Sequence, residues 1–270
     1  MRRPSRAVLV AGLAVALVVV VVAVVAVVRS VSGPEKTIEV SADSSLRHAF
    51  AALGEAFEEE NDVAVDLTVG STVSLTAPLA NRYAADGADL GATPDVFVAA
   101  DPITLYSIDY LLTGEPAVIA EDRLVIAVPA GNPGEVSGVE DLTEVDVAAC
   151  VVDEPCGRAA DAALASAGIE LDGPRSADSA STLEAVTDGS AEAGLVLASE
   201  ASGAGSKVET IELPWAEDRV TFPSISLLTG APDPEEGQAF IDFVLSEDGQ
   251  DILEEHGFRS AENPHLQPEG

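Results

Sequence analysis

Residues 37–57 read TIEVSADSSLRHAFAALGEAF, and the hydrophobic period changes once along them. Residues 37–40 alternate as a strand does, whereas Leu46, Phe50, Leu53 and Phe57 recur three and four positions apart, on one face of a helix. Between the two lies ADSS, and Asp and Ser are the residues that open helices, so a helix is expected to begin near Ser44 or Ser45. A strand that feeds a helix through a short polar turn is the building unit of an α/β fold.

The same unit follows at once. Val63, Val65, Leu67 and Val69 alternate, Gly70, Ser71 and Thr72 form a turn, and Leu75, Leu79 and Tyr83 return to helical spacing. Residues 86–93 read as a Gly- and Ala-rich loop, and DVFVAA at 95–100 as a short buried strand. Further strands are expected over 123–129, 145–152, 193–198, 208–213 and 220–228, and helices over 158–167, 180–187, 235–245 and 247–255. Such alternation predicts a largely parallel sheet, and no internal repeat is visible.

Before this body of the chain lies AVLVAGLAVALVVVVVAVVAVV at 7–28, about 22 apolar residues, long enough to cross a hydrocarbon core of roughly 30 Å. Arg2, Arg3 and Arg6 precede the run and an acidic chain follows it, which puts the N-terminus inside and the remainder outside the membrane. An uncleaved N-terminal transmembrane helix is expected; a cleaved signal peptide is the competing reading, although its apolar region would be long and no clean small-x-small site follows.

Four of the 13 basic residues precede Glu35, leaving nine against 47 acidic ones in the exported part. Nucleic-acid binding needs a basic stripe, and none is present. Acidity of this size keeps an exported surface soluble. The two cysteines, Cys150 and Cys156, lie in an exported segment where disulfides persist, so a bridge is the expectation and two buried thiols the alternative. With His48, His256 and His265 the only histidines and none spaced for a metal, neither a zinc site nor a Ser-His nucleophile is supported, and GxSxG is missing. No enzymatic activity, cofactor or oligomer is expected.

Binding is better supported. At ADSSL and at VGST a strand ends in a helix start rich in hydroxyls, where free N–H groups and the positive end of the helix dipole favour an anion. Taken singly, each motif is most simply a helix cap.

Seven stretches in one order carry a resemblance: IEVSADSSL at 38–46, VGSTVSL at 69–75, PDVFVAAD at 94–101, RLVIAVPAGNP at 123–133, DEPCGRAA at 153–160, AEAGLVLASEA at 191–201 and FIDFVLSEDGQDILEEHGF at 240–258. Over about residues 37–259 the chain resembles the molybdate-binding proteins of ABC transporters, a branch of the type II periplasmic solute-binding proteins. The resemblance implies a two-lobe α/β fold, with lobe 1 at 37–119 plus 224–260, lobe 2 at 120–223, an anchor or signal with linker at 1–36 and a tail at 261–270. It implies a molybdate or tungstate oxyanion held in the interlobe cleft by neutral donors, and partnership with an ABC permease and ATPase.

By position, the resemblance assigns ligand contact to Ser45 with Ser44 beside it, to Ser71 with Thr72 sharing the role, and to the backbone N–H groups of Cys156 and Ser179. A Cys150–Cys156 bridge would stiffen the loop that presents Cys156. Two positions depart from the family. Leu197 stands where a tyrosine hydroxyl often reaches the anion, and Asp43 stands where alanine is usual, placing a carboxylate beside a dianion unless it points away or caps the helix. These departures leave open another small oxyanion, such as sulfate or phosphate, and fold alone leaves open a tethered sensor or interaction domain.

Overall fold

The structure is a computed structural model that describes residues 34, 36–86, 93–171, 175–213 and 220–260. The apolar run at 7–28, most of the loop expected at 86–93, and the tail lie outside the described residues. Among the described residues no helix is long and apolar enough to cross a membrane.

Two sheets organise the chain. The first has the order β2-β1-β3-β10-β4, built from β1 (Lys36–Asp43), β2 (Val63–Gly70), β3 (Val96–Ala99), β4 (Leu112–Val118) and β10 (Ser224–Leu228). Helices α1 (Arg47–Asn61) and α2 (Thr72–Asp86) follow β1 and β2, and Pro102–Ser107 forms the short α3. The apolar face expected of α1 is the one it buries: Phe50, Leu53 and Phe57 pack with Ile38 and Val40 of β1 and with Phe240 of α7 (Pro234–Val244). The Phe57 and Phe240 rings meet edge to face at 5.2 Å between centroids.

The second sheet is built around β5 (Ala120–Pro129), whose long run of buried residues pairs along its length with β7 (Ala193–Leu197), β8 (Val208–Glu212), β9 (Val220–Thr221) and β11 (Arg259–Ser260), all antiparallel. β6 (Val147–Ala149) adds to β7 in parallel. Helices α4 (Pro155–Ala167), α5 (Ser179–Thr187) and α6 (Ala198–Gly203) flank this sheet, and α8 (Glu247–Glu255) follows α7. A second core joins Leu124, Ile126, Leu164 and Leu195.

Three expectations need correction. The fold is mixed rather than largely parallel: only β1, β2 and β3 in the first sheet and the β6–β7 pair in the second run parallel. The single strand expected over 220–228 is two strands in different sheets, because Pro223 has no N–H to continue a ladder. The helix expected from 158 starts at Pro155, a residue suited to the first helical position, and this draws Cys156 into the first turn. Between the sheets the chain crosses at Ile119 and again at Phe222 and Pro223, and the crossings are joined by an Ile119 N–H to Pro223 O bond of 2.8 Å.

Candidate functional site

β1 and β2 pair in parallel with Asp43 opposite Gly70, so both strands end level and their helix starts lie side by side. Asp43 is buried, and its carboxylate takes the donors of both starts. Oδ1 accepts from Ser45 N at 3.0 Å and Ser45 Oγ at 2.9 Å. Oδ2 accepts from Thr72 N at 3.0 Å and from the Thr72 hydroxyl. The donors expected to face a ligand from Ser45 and Thr72 are thus bound to a side chain of the protein. Ser44, in the 3₁₀ turn Ser44–Leu46, is the exception: its hydroxyl is buried and has no hydrogen-bond partner.

Ser71 caps its own helix by accepting from Ser74 N at 3.1 Å, and its hydroxyl faces Glu154 of the other sheet's side. Glu154 immediately precedes α4, where Cys156 holds the second position, and N–H groups in a first helical turn have no intrahelical acceptor. Cys156 is bridged to Cys150, with 5.8 Å between their Cα atoms, as expected for an exported chain. The bridge packs on Leu197, which is buried. That apolar contact accounts for a leucine at this position. A Cβ on Gly157 would come within 1.9 Å of Val151 O, so the helix start is pressed against the backbone of the bridged loop.

Ser179 is the first residue of α5. Its predecessor Asp178 accepts from Ser181 N at 2.8 Å as the cap, while the Ser179 hydroxyl is buried without a partner. α5 packs against the turn at Ser44–Leu46, so the two unpaired serine hydroxyls belong to neighbouring elements, one from each sheet's side.

Several groups here were not singled out from the sequence. The Ser199 hydroxyl donates to Asp122 and lies 3.3 Å from Ser45 O, linking α6 to the first helix start. The Arg158 guanidinium pairs with Asp101, the cap of α3, across the cleft. Glu154 and Glu200 are buried carboxyls. Burial pushes Glu200 up to about 8, with the charges of Asp43 and Asp178 adding to the shift and Arg47 opposing it. Burial likewise raises Glu154 to about 7 against the Ser71 hydroxyl, and Asp122 to about 6 against Ser199. Asp43 is raised by burial despite its four donors. In an acid-rich chain such carboxylates are indistinguishable from solvated ones until burial is known; Arg158, one of few cations, was the one available signal. Among the described residues no cluster of His, Cys, Asp and Glu could hold a metal ion.

Two mixed α/β sheets, joined by paired crossings, bring hydroxyls and helix starts together from both sides. Residues 38–259 match the family of bacterial extracellular solute-binding proteins, and the chain belongs to that family. It is 32% identical over 262 residues to the molybdate-binding protein of Mycobacterium tuberculosis, an alignment that covers 93% of this chain and 94% of that one. The periplasmic molybdate-binding protein of Azotobacter vinelandii superposes with a TM-score of 0.70 at 18% identity, over 82% of this chain and 98% of that one. The sulfate-binding protein of Mycobacterium tuberculosis superposes with a TM-score of 0.69 at 14% identity, over 86% and 89%. Membership places the chain among binding proteins that work outside the cytoplasm, not among enzymes.

Proposed function

We propose that the chain is the extracytoplasmic solute-binding component of an ABC importer and that its cleft holds molybdate or tungstate. One observation carries this reading: the buried hydroxyls of Ser44 and Ser179, unpaired in the protein, sit on adjoining elements from the two sides of the cleft. Buried polar groups are normally bonded, so a shared partner rich in oxygen acceptors suits them both. The identity to a molybdate-binding protein supports the ligand class. The remaining contacts are the N–H groups of Cys156 and Ser179, with Ser45, Ser71 and Thr72 shaping the first lobe's wall. Lobe 1 spans 37–119 plus 224–258 and lobe 2 spans 120–223, with the expected end of lobe 1 at 260 shortened because Arg259 and Ser260 pair with β5 in the second sheet. The run at 7–28 tethers the protein outside the membrane, beside a permease and ATPase that read the closed, loaded form.

A second reading, another small oxyanion such as sulfate or phosphate, is favoured by Asp43 and Leu197, which remove donors from the site. Thermal unfolding of the full chain with molybdate, tungstate, sulfate, phosphate or no anion separates the two, because a ligand that binds only the native state raises its melting temperature. A shift with molybdate and tungstate alone is expected. A shift confined to sulfate or phosphate transfers the assignment to the second reading, and no shift with any anion overturns both.

A further inference from the structure

Four buried side-chain polar atoms among the described residues lack a hydrogen-bond partner: Ser44 Oγ, Ser179 Oγ, Glu200 Oε2 and Thr221 Oγ1. The first three come from the turn Ser44–Leu46, from α5 and from α6, and these three elements pack against one another. The charge interactions of Glu200 run to Asp43 and Asp178, the residues immediately before Ser44 and Ser179. Glu200 also follows Leu197 by three residues, on the helix that β7 feeds. We propose that the Glu200 carboxyl contacts the bound oxyanion directly, as the third side chain of the site beside the Ser44 and Ser179 hydroxyls. This rests on the reading of the cleft as an oxyanion site.

A carboxylate would repel the anion, whereas a carboxylic acid donates its O–H to an anion oxygen. The surroundings hold the proton in place. Burial is the largest influence, Asp43, Asp178 and Asp122 disfavour a further negative charge, and Arg47 alone of the near groups favours it. His48 lies against Gly203 on the same helix, and Arg123, Glu209 and Glu212 line its far side together with Ala198 and Ala201. Glu154, which also interacts with Asp43 and Asp178, faces the same cleft. The acid therefore binds the anion without a proton change, while the ionised form first takes one proton from water. Anion uptake is proton-linked, and the site weakens once Glu200 ionises.

The test is titration calorimetry of the full chain with sodium molybdate from pH 6.5 to 9.5, repeated in buffers of different ionisation heat to count protons. Molybdate itself stays fully ionised over this range. Affinity is expected to fall about tenfold per pH unit above pH 8, with proton uptake rising from near zero to nearly one per anion. Glu200→Gln keeps an N–H donor of similar size; it should bind several-fold more weakly at pH 6.5 and lose the decline above pH 8, leaving only the lower titration of Glu154. Glu200→Leu should bind at least about tenfold more weakly at pH 6.5. A wild-type affinity that is flat to pH 9.5 without proton uptake overturns the role of Glu200 and leaves the oxyanion site standing, as does a Gln variant with the wild-type profile. If the wild type binds none of molybdate, tungstate, sulfate and phosphate at any pH, the site itself falls and Glu200 with it. Should either variant fail to fold, the wild-type proton count decides alone.

Discussion

Asp43 followed by Ser44 on one side of the cleft, and Asp178 followed by Ser179 on the other, are the same dipeptide at the same kind of helix start, and their carboxylates are used differently. Asp178 receives one backbone donor, from Ser181, as an ordinary cap. Asp43 receives four, because the level ends of β1 and β2 bring Thr72 to it as well as Ser45. A parallel neighbour is present here too, where Cys150 bridges Ser176 two residues before Asp178, but among the described residues it brings no donor to the Asp178 carboxylate. A helix start is thus a source of donors whose destination is decided by the neighbouring strand, and in both places it is the serine after the aspartate that keeps its hydroxyl uncommitted.

The comparison is broken most severely by Ser44→Ala combined with Ser179→Ala. Each hydroxyl bonded to an anion is worth roughly 1.5 kcal/mol, so the double variant should bind the anion at least a hundredfold more weakly. Its unliganded melting temperature should be unchanged or higher, since two buried unpaired groups are removed. Calorimetry with unaltered affinity would exclude both hydroxyls from the site. Asp43→Ala sharpens the contrast in the opposite direction: removing a like charge and freeing the donors of Ser45 and Thr72 should tighten anion binding about tenfold, while the unliganded protein loses roughly 2 kcal/mol in denaturant unfolding. Weaker binding in this variant would mean that Asp43 supports the ligand rather than competing with it.

Unliganded stability should depend on pH as well. Glu200, Glu154 and Asp122 have folded-state values near 8, 7 and 6, all above the ordinary carboxylate range. Each raised acid contributes stability that is complete below that range and is lost as pH rises through the folded value. The melting temperature should therefore fall by about 10 °C or more between pH 5.5 and pH 9, measured by calorimetry without added anion. A flat or rising profile would show that these carboxyls are solvated.

Much of this architecture was legible in the sequence because it rests on local period. The faces of α1 and α2, the buried strand at Val96–Ala99 and the two C-terminal helices follow from spacing alone. What escaped depends on partners distant in the chain. β4 reads LTGEPAV, with Gly and Pro interrupting its alternation, and exists because β10 pairs with it. The split of 220–228 was signalled by Pro223, and the early start of α4 by Pro155. For the candidate site, the sequence pointed to hydroxyls at Ser44, Ser45, Ser71 and Thr72 and to backbone N–H groups at Cys156 and Ser179, not to the Ser179 hydroxyl, and whether a donor is spent on Asp43 depends on strand register. Nothing local distinguishes Glu200 from the other acids of the chain until three packed elements enclose it.

The paired crossings carry a mechanical corollary. The Ile119 N–H donates to Pro223 O, Ile119 O accepts from the Gln250 side chain of α8 at 3.1 Å, and β11 lies against Ala120 and Glu121 just past the crossing, with Arg259 bonded to Glu121 at 2.9 Å. Both spans and the last described helix are hydrogen-bonded at one point, an arrangement that resists sliding of the two halves more than rotation about that point. That point includes β11, the last described strand, so a change in the angle between the two sheets would be felt at Arg259 and Ser260. A fluorescent probe attached at Ser260 would act as a gauge of motion between the two sheets.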